Sequence, residues 1–321
     1  MNSLMNFLID SLALSATFIF GSTGEIITEK AGHLNLGIPG IMCMGGAGGC
    51  MMISIAMNNN FPPYLIVIMG ILGAFAMGGL MGLLYSFFAD TLRANQNVTG
   101  LTMTTFGVGL MKVLMLKEDI INMKGSRLNL AVQYFRFPFS GRSDKLQMLG
   151  VMFFLALVIA LLASYMLSRT RVGLNLRSVG ENPATADAAG INVTRYKYVA
   201  TILGSGVAGL GGLYYIVDWM GSNEAYKTVE GLGWLSVALV IFVLWKPWLT
   251  IPSGFIFSVL YTCANHVTSI KGINVKFEDT YIFQMLPYLF TIVVLIISSI
   301  RNKRENQPPA SLGLSYFRED R

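Results

Sequence analysis

The sequence predicts an all-α, polytopic membrane protein: a bundle of about eight or nine transmembrane helices with one short helix outside the bilayer. Its composition supports this prediction. Hydrophobic residues make up 54% of the 321 positions and charged residues 12%, whereas soluble domains carry about 25% charged residues. The third observation is a series of apolar runs of roughly 20 residues, the length that one crossing of a bilayer needs.

Nine apolar runs are the candidate crossings, and the first six are 7–27, 36–57, 63–88, 98–116, 146–167 and 198–219. The next two, 232–245 and 249–264, are short and meet at Lys246 and Pro247. They are predicted either as two tilted crossings or as one broken helix pair, since proline cannot continue the preceding helix. The last run is 281–300. Residues 1–300 are therefore expected to form the transmembrane domain, followed by a polar cytoplasmic tail at 301–321 that is expected to be disordered.

Basic residues in the connections give the expected orientation, because cytoplasmic loops carry an excess of Lys and Arg. When the crossings are counted, two basic groups fall on the same face: Arg169, Arg171, Arg177, Arg195 and Lys197 in one connection, and Arg301, Lys303 and Arg304 after the last run. That face is predicted to be cytoplasmic. The segment 117–145 carries six further basic residues but falls on the outer face in this scheme. Nine crossings place the N-terminus outside, and eight place it inside.

A short helix with both ends marked is predicted at 182–190, within that cytoplasmic connection. Asn182 can cap its first turn, Pro183 suits the first helical position, and Gly190 can adopt the left-handed conformation beyond its end. The residues between them are small: Ala184, Thr185, Ala186, Asp187, Ala188 and Ala189. A helix this short is marginal alone in water. It is therefore expected to form against a partner protein docked onto it.

Several classes of function are excluded by the sequence. The chain has no Gly-Lys dipeptide and hence no P-loop, so ATP would have to be bound by another chain. Cys43, Cys50 and Cys263 form no CxxC pair, which supports neither a disulfide framework nor a metal site. The net charge of +6 is small and lies in loops, so nucleic acid is not an expected partner. We find no nucleophile–base set and predict no catalytic residue, no cofactor and no enzyme activity.

Ionisable residues and glycines in or near the runs are predicted to have structural roles. Glu25, Asp90 and Asp218 lie near the ends of runs and are predicted to be interfacial. His33 and His266 are isolated along the sequence and are predicted to serve surface or packing roles. Glycines at small-xxx-small spacing are predicted to let helix backbones pack closely: Gly45 with Gly49, Gly78 with Gly82, and Gly204 with Ala208 and Gly212.

Polar residues around the second and fourth runs are candidates for lining a substrate pathway, because polar groups in lipid face a bundle interior or a water-filled cavity. The candidates are Asn35, Asn97, Thr99, Thr102, Thr105 and Phe106. Amide groups can both donate and accept hydrogen bonds, and an aromatic ring can stack on a base. The three threonines, at spacing i, i+3 and i+6, are predicted to share roughly one helix face. The alternative role of these polar groups is hydrogen bonding between helices.

Four segments, in this order and spacing, carry a resemblance to a known family: 29–42, 92–101, 179–191 with 195–197 and 204–212, and 231–247. The chain resembles the permease subunits of bacterial ABC importers of the simple-sugar/nucleoside and branched-chain amino acid superfamily, and most closely the shorter permease of nucleoside importers. The resemblance extends from about residue 21 to residue 300. The chain departs from the family pattern at Pro39, where the family usually has an acidic residue, and at Leu232, where it usually has arginine.

This resemblance implies a multi-pass protein of the bacterial plasma (inner) membrane that works with other chains. The implied partners are a second permease subunit, ATP-binding ABC subunits on the cytoplasmic side and an extracytoplasmic substrate-binding lipoprotein. The resemblance also implies that Glu181, together with the predicted helix from Asn182 to Gly190, couples the chain to a groove in the ATP-binding subunit.

The function implied by the resemblance is to form half of the translocation pathway for a small polar solute. A nucleoside is the first expectation for that solute. One alternative is the same architecture carrying a monosaccharide or a branched-chain amino acid. The second alternative is an ion-coupled secondary transporter.

Overall fold

A computed structural model of the chain describes residues 2–116, 131, 133–135, 149–266, 285–301 and 307–316. Within these ranges all regular secondary structure is helical, which confirms the all-α prediction. The helices are α1 Asn2–Glu29, α2 Ile38–Asn58, α3 Pro63–Ser86, α4 Gln96–Met115, α5 Val151–Arg169, α6 Arg171–Glu181, α7 Pro183–Ala188, α8 Val193–Leu213, α9 Tyr226–Phe242, α10 Thr250–His266 and α11 Leu286–Arg301. Apart from 131 and 133–135, the basic segment 117–145 lies outside the described residues.

Short turns of other helix types extend or join these elements. A π-helical turn continues α3 over Phe87–Thr91, and another continues α8 over Tyr214–Trp219. Single 3-10 turns cover Asn223–Ala225 and Pro247–Leu249. The last of these turns separates α9 from α10, so the two short apolar runs are two distinct helices.

Six described helical segments are long and apolar enough to cross a membrane: Leu4–Glu29, Ile38–Asn58, Pro63–Thr91, Gln96–Met115, Val151–Arg169 and Val193–Trp219. They correspond to the first six apolar runs of the sequence. The helices α9, α10 and α11 are shorter, with 17, 17 and 16 residues. The total of eight or nine crossings stays a prediction.

The centre of the bundle is built from α2 and α8, with α1 and α3 packed around them. Glycines allow these helices to approach backbone to backbone. A Cβ atom at Gly45 of α2 would lie 2.2 Å from the Cα of Gly209 in α8, so a larger residue would displace a helix. A Cβ at Gly78 of α3 would lie 2.5 Å from the backbone oxygen of Ser205, also in α8. The small-residue pattern therefore serves close helix packing, as predicted.

One end of the bundle collects the end of α1, the start of α4 and the helices α6 and α7, and we call it the α7 end. A Cβ at Gly180, in the last turn of α6, would lie 2.4 Å from the backbone oxygen of Lys30. The tail residues 307–316 also lie at this end, since the backbone N–H of Ser311 donates to the oxygen of Gly180 at 3.0 Å. The prediction of a disordered tail is therefore wrong for these residues. Their backbone groups bond to the folded domain, which a polar composition alone does not reveal.

Candidate functional site

The short helix α7 has the capped form that the sequence predicts. The side-chain oxygen of Asn182 accepts the backbone N–H of Thr185 at 3.0 Å, and Pro183 opens the helix. Gly190 has a φ of +83°, which is the left-handed conformation expected beyond the helix end. The helix covers Pro183–Ala188, within the predicted bounds. Neighbouring residues therefore satisfy both ends of the helix, as the sequence predicts.

The rest of the chain supports α7 from beneath. Ala186 is only 3% exposed and packs in an apolar cluster with Val179 of α6 and Val193 of α8. This cluster supplies the burial that a short helix lacks alone, so a docked partner is not needed to form α7. Pro183 and Asp187 are half-buried. The exposed residues are Glu181, Asn182, Ala184, Thr185, Ala188, Ala189 and Gly190, and they present a surface with little side-chain bulk.

The position of α7 is set by α6, a helix that the sequence analysis misses. The hydroxyl of Thr170 caps α6 by accepting the N–H of Gly173 at 3.1 Å. Its buried residues include Leu176 and Val179, and Val179 carries the contact to α7. With only 11 residues and several charges, α6 does not stand out as an apolar run. The capping threonine after α5 is the signal that could have identified it.

The connector 30–37, between α1 and α2, runs into the bundle, and side chains of the helices satisfy its backbone. The side-chain oxygen of Gln96 accepts the N–H of Leu34 at 2.9 Å. The hydroxyl of Tyr85 donates to the oxygen of Leu34 at 2.8 Å. These contacts tie the connector to the start of α4 and the end of α3. A buried backbone without helical hydrogen bonds is tolerated because these side chains replace them.

The predicted pathway residues fall into a buried group and an exposed group. Asn35 and Thr99 are buried, and the Oδ1 atom of Asn35 accepts the N–H of Gly37 at 2.9 Å. The exposed residues, all on α4, are Asn97, Thr102, Thr105 and Phe106. The prediction of one face for all three threonines is wrong. Each step of three residues turns a side chain by about 300°, so the successive positions drift around the helix and Thr99 faces the interior.

The outward face of α4 brings polar and aromatic groups together. The hydroxyls of Thr102 and Thr105 donate to carbonyl oxygens one turn earlier, those of Val98 at 2.8 Å and Leu101 at 3.2 Å. Each hydroxyl oxygen keeps acceptor capacity toward a further group. Phe106 is 48% exposed beside them. A helix with the composition of a membrane span thus has an exposed face that can form hydrogen bonds.

A largely buried polar cluster lies at the α7 end, and the carboxylate of Asp90 contacts both His33 and Lys197 in it. The Nδ1 atom of His33 lies 2.7 Å from the hydroxyl of Thr201, and Nε2 lies 2.9 Å from Oδ1 of Asp90. The Nζ atom of Lys197 lies 3.8 Å from the same Asp90 oxygen. Burial lowers the pKa of His33 below its usual value, and the Asp90 carboxylate opposes this shift.

Sequence reasoning misses this cluster because its members come from distant parts of the chain. His33 is isolated only along the sequence, and its structural partners lie in the turn after α3 and in α8. A packing role for His33 agrees with its full burial. The side chain of His266 lies outside the described residues.

Two of the three acidic residues predicted to be interfacial are buried, and Asp90 is half-buried. Glu25 and Asp218 are fully buried, and the side chain of Asp90 is 10% exposed. A Cβ at Gly150, before α5, would lie 2.9 Å from a carboxylate oxygen of Asp218. Burial inside the protein does not fix their depth in the membrane, so the interfacial role of these residues stays a prediction.

A polar cleft of about 670 Å³ opens beside α7. Its charged lining comprises Asp90, Arg93, Asp187 and Arg195, and Tyr316 of the tail also faces it. The cleft therefore presents both signs of charge next to the small-faced helix. Mixed charges of this kind suit the polar rim of a protein–protein contact.

The two departures from the family pattern lie at one helix contact. A Cβ at Gly233 of α9 would lie 2.4 Å from the Cα of Pro39 in α2, and the adjacent Leu232 is 1% exposed. The resemblance implies charges of opposite sign at positions 39 and 232. This chain has apolar, buried side chains at both positions.

The fold and the site together define a multi-pass membrane protein with six apolar helices of spanning length and one small capped helix exposed at one end. Comparison with known sequences identifies the family. Residues 7–298 match the family described as "Branched-chain amino acid transport system / permease component", and the chain belongs to that family.

Three relatives extend over most of the chain. The nucleoside ABC transporter permease protein NupC of Lactococcus lactis is 32% identical over 92% of this chain and 93% of its own length. A provisionally assigned glucose ABC transporter permease of Haloferax volcanii, TsgC13, is 30% identical over 97% and 98%. The guanosine ABC transporter permease protein NupQ of Bacillus subtilis is 27% identical over 89% of each chain. This chain is therefore a permease subunit of an ABC transporter, a multi-pass membrane component of the nucleoside and sugar import group.

Proposed function

We propose that this chain is one of two permease subunits of an ATP-driven importer and that α7 docks it onto an ATP-binding subunit. The observation that carries this proposal is the exposed face of α7, a capped helix with small side chains that is supported by the buried Ala186. A groove on a partner can enclose such a helix without steric hindrance. In this proposal the chain hydrolyses no ATP, and the partner chains bind the nucleotide.

The route from α7 to the membrane helices runs through α8. Asn192, between the two helices, caps α8 by accepting the N–H of Arg195 at 2.9 Å. Val193, the first residue of α8, packs against Ala186 of α7. A displacement of α7 would therefore reach α8, which packs against α1, α2 and α3. ATP binding by the partner would favour one arrangement of these helices and hydrolysis the other, so that the pathway opens alternately to the two sides.

The outward face of α4 is the part of the pathway that this chain would contribute. Its exposed residues are Asn97, Thr102, Thr105 and Phe106, and a second permease subunit would form the opposite wall. Polar side chains on a membrane helix face a cavity or another protein surface rather than lipid. Asn35 and Thr99 lie buried behind this face and would become accessible when the connector 30–37 moves.

A nucleoside is the proposed solute. The relatives NupC and NupQ are named as a nucleoside and a guanosine ABC transporter permease, respectively. The face of α4 offers amide and hydroxyl groups that can bond a ribose, and Phe106 offers a ring that can stack on a base. The name of TsgC13 makes a monosaccharide the second candidate. An extracytoplasmic lipoprotein would deliver the solute and select it.

The docking role of α7 is tested by placing a bulky charge on its exposed face. Ala188→Arg is compared with Ser168→Arg, which changes an exposed residue near the end of α5. The chain is co-expressed with a tagged ATP-binding subunit and the second permease. Ala188→Arg should abolish co-purification and uptake, and Ser168→Arg should leave both unchanged. Normal co-purification of Ala188→Arg would refute the docking assignment.

The solute is tested by uptake of labelled guanosine, glucose and leucine into cells that express the complete set of subunits. Guanosine uptake alone is the expected result, and it should disappear when the ATP-binding subunit is inactive. Uptake of glucose alone or of leucine alone would show that this solute, rather than a nucleoside, is transported. Uptake that persists without ATP hydrolysis and collapses with the ion gradient would indicate a secondary transporter.

A further inference from the structure

The C-terminal tail contacts the segment that carries α7 at three places. The backbone N–H of Ser311 donates to the oxygen of Gly180 at 3.0 Å, and the Ser311 hydroxyl donates to the same oxygen. The backbone N–H of Ala310 donates to a carboxylate oxygen of Glu181 at 3.4 Å. The hydroxyl of Tyr316 donates to Oδ2 of Asp187, within α7, at 2.9 Å. The tail is thus attached to α7 and to the end of α6.

The same short stretch of the tail also contacts the side of the bundle that leads to the pathway. The backbone N–H of Gly313 donates to the oxygen of Gly32 in the connector 30–37 at 3.1 Å. The side-chain amide of Gln96, in the first turn of α4, donates to the oxygen of Leu314 at 3.4 Å. Gln96 also holds the connector through its bond to Leu34. One side chain therefore joins the tail, the connector and α4.

We propose that residues 307–316 form a coupling strap, which carries displacements of α7 directly to the connector 30–37 and to α4. This inference rests on the proposed function, because it assumes that an ATP-binding subunit moves α7. The contact between α7 and α8 is the first route of transmission, and the strap is a second route that ends beside the buried Asn35 and the polar face of α4.

The geometry suits a strap that stays attached while it moves. Ser311 is 7% exposed, so its bonds to Gly180 are shielded from water. Gly313 has a φ of +77°, a backbone conformation that glycine adopts without strain and that lets the tail turn against Leu34. A Cβ atom built on Gly313 would lie 3.6 Å from the Cβ of Leu34. The remaining contacts are single hydrogen bonds, whose lengths and angles can vary over a range without breaking.

The test is the amount of solute transported per ATP hydrolysed by the complete complex in proteoliposomes. One variant ends the chain after residue 306. A second variant, Tyr316→Phe, removes only the hydroxyl that bonds to Asp187, and Ser315→Ala is the matched control in the same stretch. The ATP-binding subunit should remain bound to all of them. The truncated chain should lose most transport per ATP, Tyr316→Phe should lose at least about twofold, and the control should match the wild type.

The outcomes separate the strap from the proposed function. Equal transport per ATP for wild type, truncated chain and Tyr316→Phe would overturn the strap and leave the docking of α7 intact. Loss of the ATP-binding subunit from the truncated chain would overturn the strap as a transmitter, because the tail would then serve to hold the partner. A wild-type chain that binds no ATP-binding subunit would overturn both proposals. If the truncated chain fails to fold, Tyr316→Phe alone decides between these results.

Discussion

The Nε2 atom of His33 lies 2.9 Å from Oδ1 of Asp90, although 57 positions separate the two residues in the sequence. This contact joins the connector 30–37 to the turn that ends α3. The pair also reaches α8 through Lys197, 3.8 Å from the same carboxylate oxygen. The cluster therefore ties together three elements: the connector, the turn after α3 and the helix α8.

Stability should depend on pH through His33. Burial lowers its pKa in the folded state, so the folded protein binds this proton less readily than the unfolded chain, whose histidine titrates near pH 6.5. Stability should be fully present above that pH and should fall as the pH drops through and below it. Thermal unfolding in detergent from pH 8 to pH 5 measures this. The fall should be smaller in His33→Gln, and an identical fall in both proteins would contradict the assignment.

The cap of α7 should control how often this helix opens. Asn182→Ala removes the acceptor for the N–H of Thr185, and loss of such a cap costs about 1 kcal/mol. Hydrogen exchange of the α7 amides should therefore accelerate about fivefold, and binding of the ATP-binding subunit should weaken. Asn182→Asp keeps the acceptor and serves as the control. Unchanged exchange in Asn182→Ala would show that the cap does not hold the helix.

The contact between α2 and α8 should not tolerate a methyl group. Gly45→Ala places a Cβ 2.2 Å from the Cα of Gly209 and should lower the free energy of unfolding by about 1–3 kcal/mol. Gly109 is the control, because a Cβ there meets nothing within 4 Å and alanine is the better helix former. Thermal unfolding should place Gly45→Ala well below the wild type and Gly109→Ala at or above it. Equal midpoints for the two variants would refute this packing argument.

The outward face of α4 should be sensitive to a change that lipid would tolerate. Thr105→Leu removes a hydroxyl and adds apolar bulk, whereas Val158→Leu makes a similar change in size on the exposed side of α5. If α4 lines the pathway, Thr105→Leu should lower the kcat/KM of uptake by about fivefold. This factor corresponds to the loss of one hydrogen bond of about 1 kcal/mol to the solute. Val158→Leu should have no effect. Normal uptake by a well-expressed Thr105→Leu protein would place this face against lipid.

Local signals predict much of this structure. The caps of α7 follow from Asn182, Pro183 and Gly190 because each acts within one or two turns of its own position. The first six long helices follow from runs of apolar residues of spanning length. The close packing of α2 on α8 follows from glycine spacing, although the partner helix does not.

Contacts between distant segments explain what the sequence does not reveal. A pattern of three threonines cannot show that Thr99 faces the interior, because the packing of α4 selects the buried face. The partners of His33 and the hydrogen bond from Ser311 to Gly180 depend on how α3, α6 and α8 are placed relative to one another. Composition marks the tail as polar, but composition cannot show that the α7 end offers acceptors at matching positions.

The way α7 is built has a consequence for the evolution of such transporters. Its shape depends on the two caps, on the buried Ala186 and on the half-buried Pro183 and Asp187, so the exposed alanines can vary without disturbing the bundle. If α7 docks an ATP-binding subunit as proposed, a gene duplication followed by a few substitutions at Ala184, Ala188 and Ala189 could change which ATP-hydrolysing partner binds. The path of the transported solute would be inherited unchanged, because other helices form it.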